Sequence, residues 1–227
     1  MDNIFQTADA RNQTLNSRLK IGFENVKKNW PQAKAVFTDN TLQICGHPVM
    51  ERWEDNYMKL LADIATLNGG DVLEVGFGMG ISANYIQQKT ITNHIIIEAN
   101  KDVYTKALEF ANQSKHPVKV ILGFWEEVID DLPDASLSGI LFDTYPLVPD
   151  EVHSNHFKFF EHAQRLLVPG GILTYYSDEM KEFSQQHINC LKKAGFEKIS
   201  GKLCTVNPPL NCNYWQSKTI IAPIIIK

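Results

Sequence analysis

Leu15, Leu19, Phe23 and Val26 recur at three- and four-residue steps, the spacing of one helix face, and predict a helix over about 8–30. A short strand is expected over 41–44, ended by Gly46-His-Pro48. A second helix is expected over about 50–66, with Pro48 suited to its start and Asn68-Gly-Gly70 to its stop. From there apolar runs of strand length alternate with helical periods. The reading is strand 72–75, helix 81–88, strand 94–97, helix 103–113, strand 118–122, short helix 125–131, strand 138–142 and helix 152–167. Strand 172–176 follows the turn Pro169-Gly-Gly171, and helix 179–194 follows that strand. Two strands, 198–206 and 219–226, come last with no helix between them. Ile95-Ile-Ile97 and Ile140-Leu-Phe142 are apolar throughout, as strands need when helices cover both faces of a parallel sheet.

Alternation of this kind predicts an α/β, Rossmann-like, doubly wound fold. The expected sheet is seven-stranded and mostly parallel, with an antiparallel C-terminal edge hairpin. Residues 1–68 are expected to form an N-terminal helical cap over the ligand edge of the sheet, and residues 69–227 the core of one structural domain. A hydrophobic content of 44% and a charged content of 21% fit a soluble globule with a full core. The net charge of −4, without a long basic run, argues against a nucleic-acid partner and suits a small cationic substrate. No apolar run is long enough for a membrane span. Four scattered cysteines and a polar start point to reduced thiols and a cytoplasmic protein.

The chemistry begins at Asp71-Val-Leu-Glu-Val-Gly-Phe-Gly-Met-Gly80, a buried strand running into a glycine turn. Gly76, Gly78 and Gly80 permit close backbone approach to a nucleotide-like ligand, and Glu74 sits where an acid orders the turn. A dinucleotide fingerprint needs a glycine at the sixth place, where this chain has Ile81. An acid followed by Gly-x-Gly-x-Gly after a first strand is instead the S-adenosylmethionine loop of class I methyltransferases. The bland reading is any glycine-rich strand-to-helix turn. An NAD oxidoreductase and a non-catalytic S-adenosylmethionine-binding module are the rival classes.

Ligands of open α/β sheets sit at the carboxyl ends of the strands. Glu98 ends one strand and can accept both ribose hydroxyls. Trp125 offers a face for adenine and Glu126 an acceptor, although a tryptophan there is as readily core. Asp143 follows an apolar strand, and a carboxylate so placed needs a partner. The second helix supplies one in Met50-Glu-Arg-Trp-Glu54, followed by Tyr57 and Met58; Glu51 and Glu54 lie on adjacent parts of one surface. The alternative is a solvated face with surface pairs. Two carboxylates facing one pocket match the planar donors of a guanidinium. Methylation of that group requires loss of its proton, which a buried aspartate can take. His153, His156 and His162 lack a further acid or cysteine at metal-site spacing, so no metal is expected. No Gly-x-Ser-x-Gly elbow marks a hydrolase.

Met50-Glu-Arg-Trp-Glu-x-x-Tyr-Met58, Val72-Leu-Glu-Val-Gly-Phe-Gly-Met79, Ile96-Ile-Glu98, Gly123-x-Trp-Glu126, Asp143-Thr-Tyr-Pro-Leu147 and Leu167-x-Pro-Gly-Gly171 together resemble guanidinoacetate N-methyltransferase. Fungal protein arginine delta-N-methyltransferases share much of the pattern. The resemblance implies S-adenosylmethionine as cofactor, S-adenosylhomocysteine as product, and a small guanidino substrate. Guanidinoacetate, giving creatine, is the first candidate, and arginine, free or in protein, the second. It implies that Glu54 and Asp143 hold the guanidino group and that Asp143 accepts the proton. By the same resemblance Gly76, Glu98, Trp125 and Glu126 contact the cofactor, while Met50, Met58 and Thr144 line the reaction centre. The family continues after its Leu-Thr-Tyr strand with Asn-Leu-Thr-Ser-Trp and an insert whose backbone donors bind the substrate carboxylate. This chain has Tyr176-Ser-Asp-Glu179 instead. Asp178 and Glu179 are expected to repel a carboxylate there, leaving Tyr176, Ser177 and nearby amides as the substrate contacts of this stretch.

Overall fold

A computed structural model describes residues 15–227. Helix α1 (15–21) ends at Gly22, whose φ of 90° suits a glycine, with its N–H bonded to the Arg18 carbonyl. Helix α2 (Val26–Asn29) follows Asn25, which has φ 57°, and runs into a 3-10 turn at Trp30–Gln32. The continuous helix expected over 8–30 is therefore broken by Gly22 and Asn25; its positions 8–14 lie outside the described residues.

The expected helical cap also contains a sheet. Strands β1 (Ala35–Phe37), β2 (Thr41–Ile44) and β3 (His47–Glu51) form an antiparallel meander. Cys45 and Gly46, with φ of 53° and 77°, make the two-residue turn between β2 and β3. Pro48 lies in β3, at the edge of this sheet, where its missing N–H costs no ladder bond. It does not start a helix. After β3 comes a 3-10 turn, Arg52–Glu54, closed by a reciprocal capping box between Glu51 and Glu54. Only then does α3 (Asp55–Ala65) begin, about five residues later than the expected start near Met50.

The main sheet is built from β4 (Asp71–Val75), β5 (Asn93–Glu98), β6 (Val118–Leu122), β7 (Leu137–Phe142), β8 (Leu167–Tyr175), β9 (Lys198–Thr205) and β10 (Thr219–Ile226). Its order is β6-β5-β4-β7-β8-β10-β9, with five parallel strands and an antiparallel β9–β10 edge hairpin, as expected. Helices α4 (Ile81–Gln87), α5 (Lys101–Ala111), the short α6 (Trp125–Val128), α7 (Phe160–Leu166) and α8 (Gln185–Lys193) complete the layers. Two apolar clusters cover the two faces, one around Leu61, Ile86 and Leu141, the other around Leu73, Phe142, Phe160 and Leu191.

Three boundaries differ from expectation. The segment before α7 is a 3-10 turn (Asn155–Phe159), entered through His153 at φ 69°. Strand β8 starts at Leu167, so Pro169-Gly-Gly171 lies within it, beside a register shift against β7. Helix α8 waits for Ser184, whose hydroxyl accepts the His187 N–H as an N-cap. Among the described residues no helix is long and apolar enough to cross a membrane.

Candidate active site

The chain turns from β6 back to β7 on the other side of β4, and ligands of open sheets bind where the strand order reverses in this way. A cavity opens there, lined by Gly76, Phe77 and Gly78 after β4, Glu98 after β5, Trp125 and Glu126 after β6, and Asp143, Thr144 and Tyr145 after β7. Gly76 has φ 93°, and a side chain on it would run into the Asp143 carbonyl. The β4 and β7 loops touch at that point only because the residue is glycine.

The glycine turn is held from beneath. Glu74 is fully buried; one carboxylate oxygen accepts the Ser82 hydroxyl and the other meets His94 Nε2 at 3.0 Å. Ser82 reaches the cavity and Glu74 does not. Gly80, at φ 69°, caps α4 and donates its N–H to the Phe77 carbonyl, also away from the cavity wall. Glu98 does line the cavity. Its carboxylate accepts the N–H of Phe77 at 3.0 Å and of Asn100 at 2.8 Å. Burial raises its pKa and these amides oppose the rise. Trp125 lies edge-on to Phe142 and Phe159 with ring centroids 5.9 and 5.3 Å away, so it is both a core contact and a cavity wall. Glu126 meets Lys27 Nζ of α2 at 3.1 Å.

Glu54 and Asp143 line the same cavity, and the Asp143 charge raises the cost of ionising Glu54. Glu54 is 2% exposed. Its Oε1 accepts the Tyr214 hydroxyl at 2.7 Å and the Glu51 N–H at 2.9 Å. Burial, then the nearby Asp143 charge, push Glu54 up to about 8. Burial, then the charges of Asp178 and Glu74, push Asp143 up to about 7, with Arg18 opposing. Two carboxylates strained in this way gain most from a cation placed between them.

Tyr176 lines the cavity and its hydroxyl has no hydrogen-bond partner among the described residues. Ser177 does not face the cavity: its hydroxyl donates to the Ile221 carbonyl at 2.7 Å and accepts the Glu179 N–H. Glu179 also turns away, with Oε1 on the Ser184 N–H and 3.2 Å from His187 Nδ1. Asp178, at φ 54°, faces the cavity and meets His153 Nδ1 at 3.3 Å. Burial alone would raise its pKa, but the charges of His153 and Arg18 hold it below the usual carboxylate range. Met50 borders the cavity, whereas Met58 is fully buried beneath it. Thr144 is fixed by Asn155 Nδ2, which donates to its Oγ1 at 3.1 Å and its carbonyl at 2.6 Å. His162 lies 3.6 Å from Asp130, remote from His153's partner, and the described residues contain no cluster of metal-ligating side chains.

Several side chains here had no signal in the pattern. Tyr214 comes from the loop between β9 and β10. Trp30 stacks on Tyr145 at 5.6 Å, and Tyr145 OH lies 2.9 Å from His47 Nδ1. Arg18 covers the Tyr145 ring at 5.0 Å. Tyr145 falls within the Asp143-Thr-Tyr-Pro-Leu147 stretch that the sequence marks; for Arg18 and Trp30 only the structure shows the connection.

Residues 19–227 match the family model described as guanidinoacetate N-methyltransferase. The chain is 30% identical over 179 residues to protein arginine N-methyltransferase 2 of Yarrowia lipolytica, covering 74% of this chain and 37% of that protein. It is 28% identical over 137 residues to the protein of the same name from Saccharomyces cerevisiae, covering 57% of this chain and 32% of that protein. The chain thus spans about a third of the length of these relatives. Among solved structures, spermidine synthase from Thermotoga maritima aligns with TM-score 0.58 at 14% identity, over 85% of this chain and 72% of that one. M. jannaschii TYW2 in complex with AdoMet aligns with TM-score 0.57 at 14% identity, over 86% and 84%. At this identity the structural likeness concerns the fold.

Proposed function

Since the chain belongs to the guanidinoacetate N-methyltransferase family and is an S-adenosylmethionine-dependent methyltransferase, we propose that it methylates a nitrogen of a guanidino group, with guanidinoacetate as first candidate. The observation that carries this reading is the pair Glu54 and Asp143 facing one cavity that also contains the glycine turn and Glu98. Family membership sets aside the NAD reading.

The cavity suits the cofactor. The Glu98 carboxylate lies at the cavity wall beside the glycine turn, where a carboxylate can accept ribose hydroxyls. Gly76 and Gly78 leave the backbone bare, and Phe124 and Trp125 offer aromatic faces for adenine. Bound S-adenosylmethionine supplies the methyl group and departs as S-adenosylhomocysteine. The remaining work belongs to the protein. Glu54 and Asp143 orient the guanidinium through charge-assisted hydrogen bonds. Asp143 takes the proton that leaves the nitrogen as the new bond forms, and its raised pKa near 7 suits a base at neutral pH. Tyr176 has a hydroxyl available for the acceptor. Burial of both acids excludes the water that would otherwise solvate them.

The second reading is an arginine side chain of a protein, which the names of the curated relatives favour. A methylation assay with S-adenosylmethionine over guanidinoacetate, arginine, agmatine and an arginine-rich protein separates the two. Methylation of none of them by protein that binds the cofactor would sink the guanidino assignment.

A further inference from the structure

Three cationic side chains line the cavity, and two are already matched: Lys27 by Glu126 and Lys158 by Glu151. The third is Arg18. It is 8% exposed, its Nε is buried without a hydrogen-bond partner, and among the described residues it forms no ion pair. A buried guanidinium with unused donors is costly unless something binds it. Its position is fixed. The guanidinium lies over Tyr145, which is held by Trp30 and by His47 Nδ1. His47 Nε2 in turn lies 2.9 Å from the Gly22 carbonyl, at the end of the helix that carries Arg18.

The stretch after β8, where the family resemblance places a carboxylate-binding loop, offers Asp178 to the cavity and turns Ser177 away. An anion is therefore not bound there. The geometry points to Arg18 as the carboxylate anchor of the acceptor site: it binds the acid end of a small guanidino acid whose guanidino end lies against Glu54 and Asp143. This rests on the guanidino reading above. The cavity is then matched to a zwitterion, with acids for one end and an arginine for the other. The guanidinium of an arginine residue within a protein carries no such acid group. The charge of Arg18 already acts on Asp143 and Asp178, which agrees with its lying on their side of the cavity.

The test compares guanidinoacetate with ethylguanidine, which keeps the guanidinium and loses the carboxylate. Binding of each to the full chain saturated with S-adenosylhomocysteine is measured by calorimetry for wild type, Arg18→Gln and Arg18→Lys. Wild type should prefer guanidinoacetate. Arg18→Gln should weaken guanidinoacetate about ten- to hundredfold and leave ethylguanidine unchanged or tighter, and Arg18→Lys should recover part of the loss. Equal weakening of both guanidines would show that Arg18 only supports the fold. No change in either would show that Arg18 touches neither ligand. Either result overturns the anchor while leaving the guanidino reading intact. Failure of wild type to bind both guanidines would overturn the two together.

Discussion

The Tyr214 hydroxyl donates to Glu54 Oε1 over 2.7 Å, joining the loop before β10 to the turn that starts α3, across 160 residues of chain. This bond favours the ionised form of Glu54 and opposes the rise that burial and Asp143 impose. It therefore lowers the cost of ionising Glu54 when a cation arrives, a role distinct from mere packing.

Tyr214→Phe should raise the acceptor KM at pH 7.5 by about tenfold or more, since hydrogen bonds to charged groups contribute about 1.5–3 kcal/mol. The sign is testable by pH. Without the donor, Glu54 ionises at higher pH, so the acidic limb of kcat/KM should move upward and activity should recover above pH 9. A uniform loss at every pH would mean that Tyr214 only shapes the cavity.

Asp143→Asn should leave cofactor affinity nearly unchanged and lower kcat by about a hundredfold or more, the range associated with loss of a general base. Isothermal titration with S-adenosylhomocysteine checks the first half and single-turnover methylation the second. Full turnover in this variant would remove Asp143 from the role of proton acceptor.

The sheet was readable because its central strands are apolar on both faces, as Ile95–Ile97 and Ile140–Phe142 must be when helices lie above and below. The glycine turn, Glu98 and Asp143 were readable because strand ends in such a sheet are ligand positions. The cap was not. Only β2 was expected, where Leu42 and Ile44 alternate with polar positions; Val36 and Phe37 of β1 are exposed, and Pro48 in β3 reads as a helix start. Which of Ser177, Asp178 and Glu179 faces the cavity depends on Asp178 at φ 54°, a backbone reversal that no periodicity marks. The partners of Glu54 and Tyr145 come from Tyr214 and Arg18, brought in by long-range packing.

Without ligand, Glu54 and Asp143 hold their protons up to about 8 and about 7. In the unfolded chain they lose them near ordinary carboxylate values. The folded state thus binds more protons between those limits, and its stability falls as pH rises through them. The melting temperature of the ligand-free protein should decline from pH 5.5 to 9 by more in wild type than in Glu54→Gln. Parallel curves would show that Glu54 ionises normally. For the same reason a guanidinium ligand should bind more tightly as pH rises from 6 to 8 and release protons on binding, measurable in two buffers of different ionisation enthalpy.

Glu74 separates support of the cofactor loop from contact with the cofactor. It is 0% exposed, lies outside the cavity wall, and ties β4 to Ser82 of α4 and His94 of β5. Glu74→Ala would leave both partners unmatched in the core, and removing one member of a buried polar pair costs about 3–5 kcal/mol. For a chain of this size the melting temperature should fall by about 10 °C. Cofactor binding to the folded variant at low temperature should weaken only as far as the loop loosens, within about tenfold, because no wall of the cavity is removed. Saturating S-adenosylhomocysteine should restore part of the lost melting temperature by mass action. Loss of cofactor binding in a variant that melts like wild type would show that Glu74 touches the cofactor directly, contrary to its position beneath the turn.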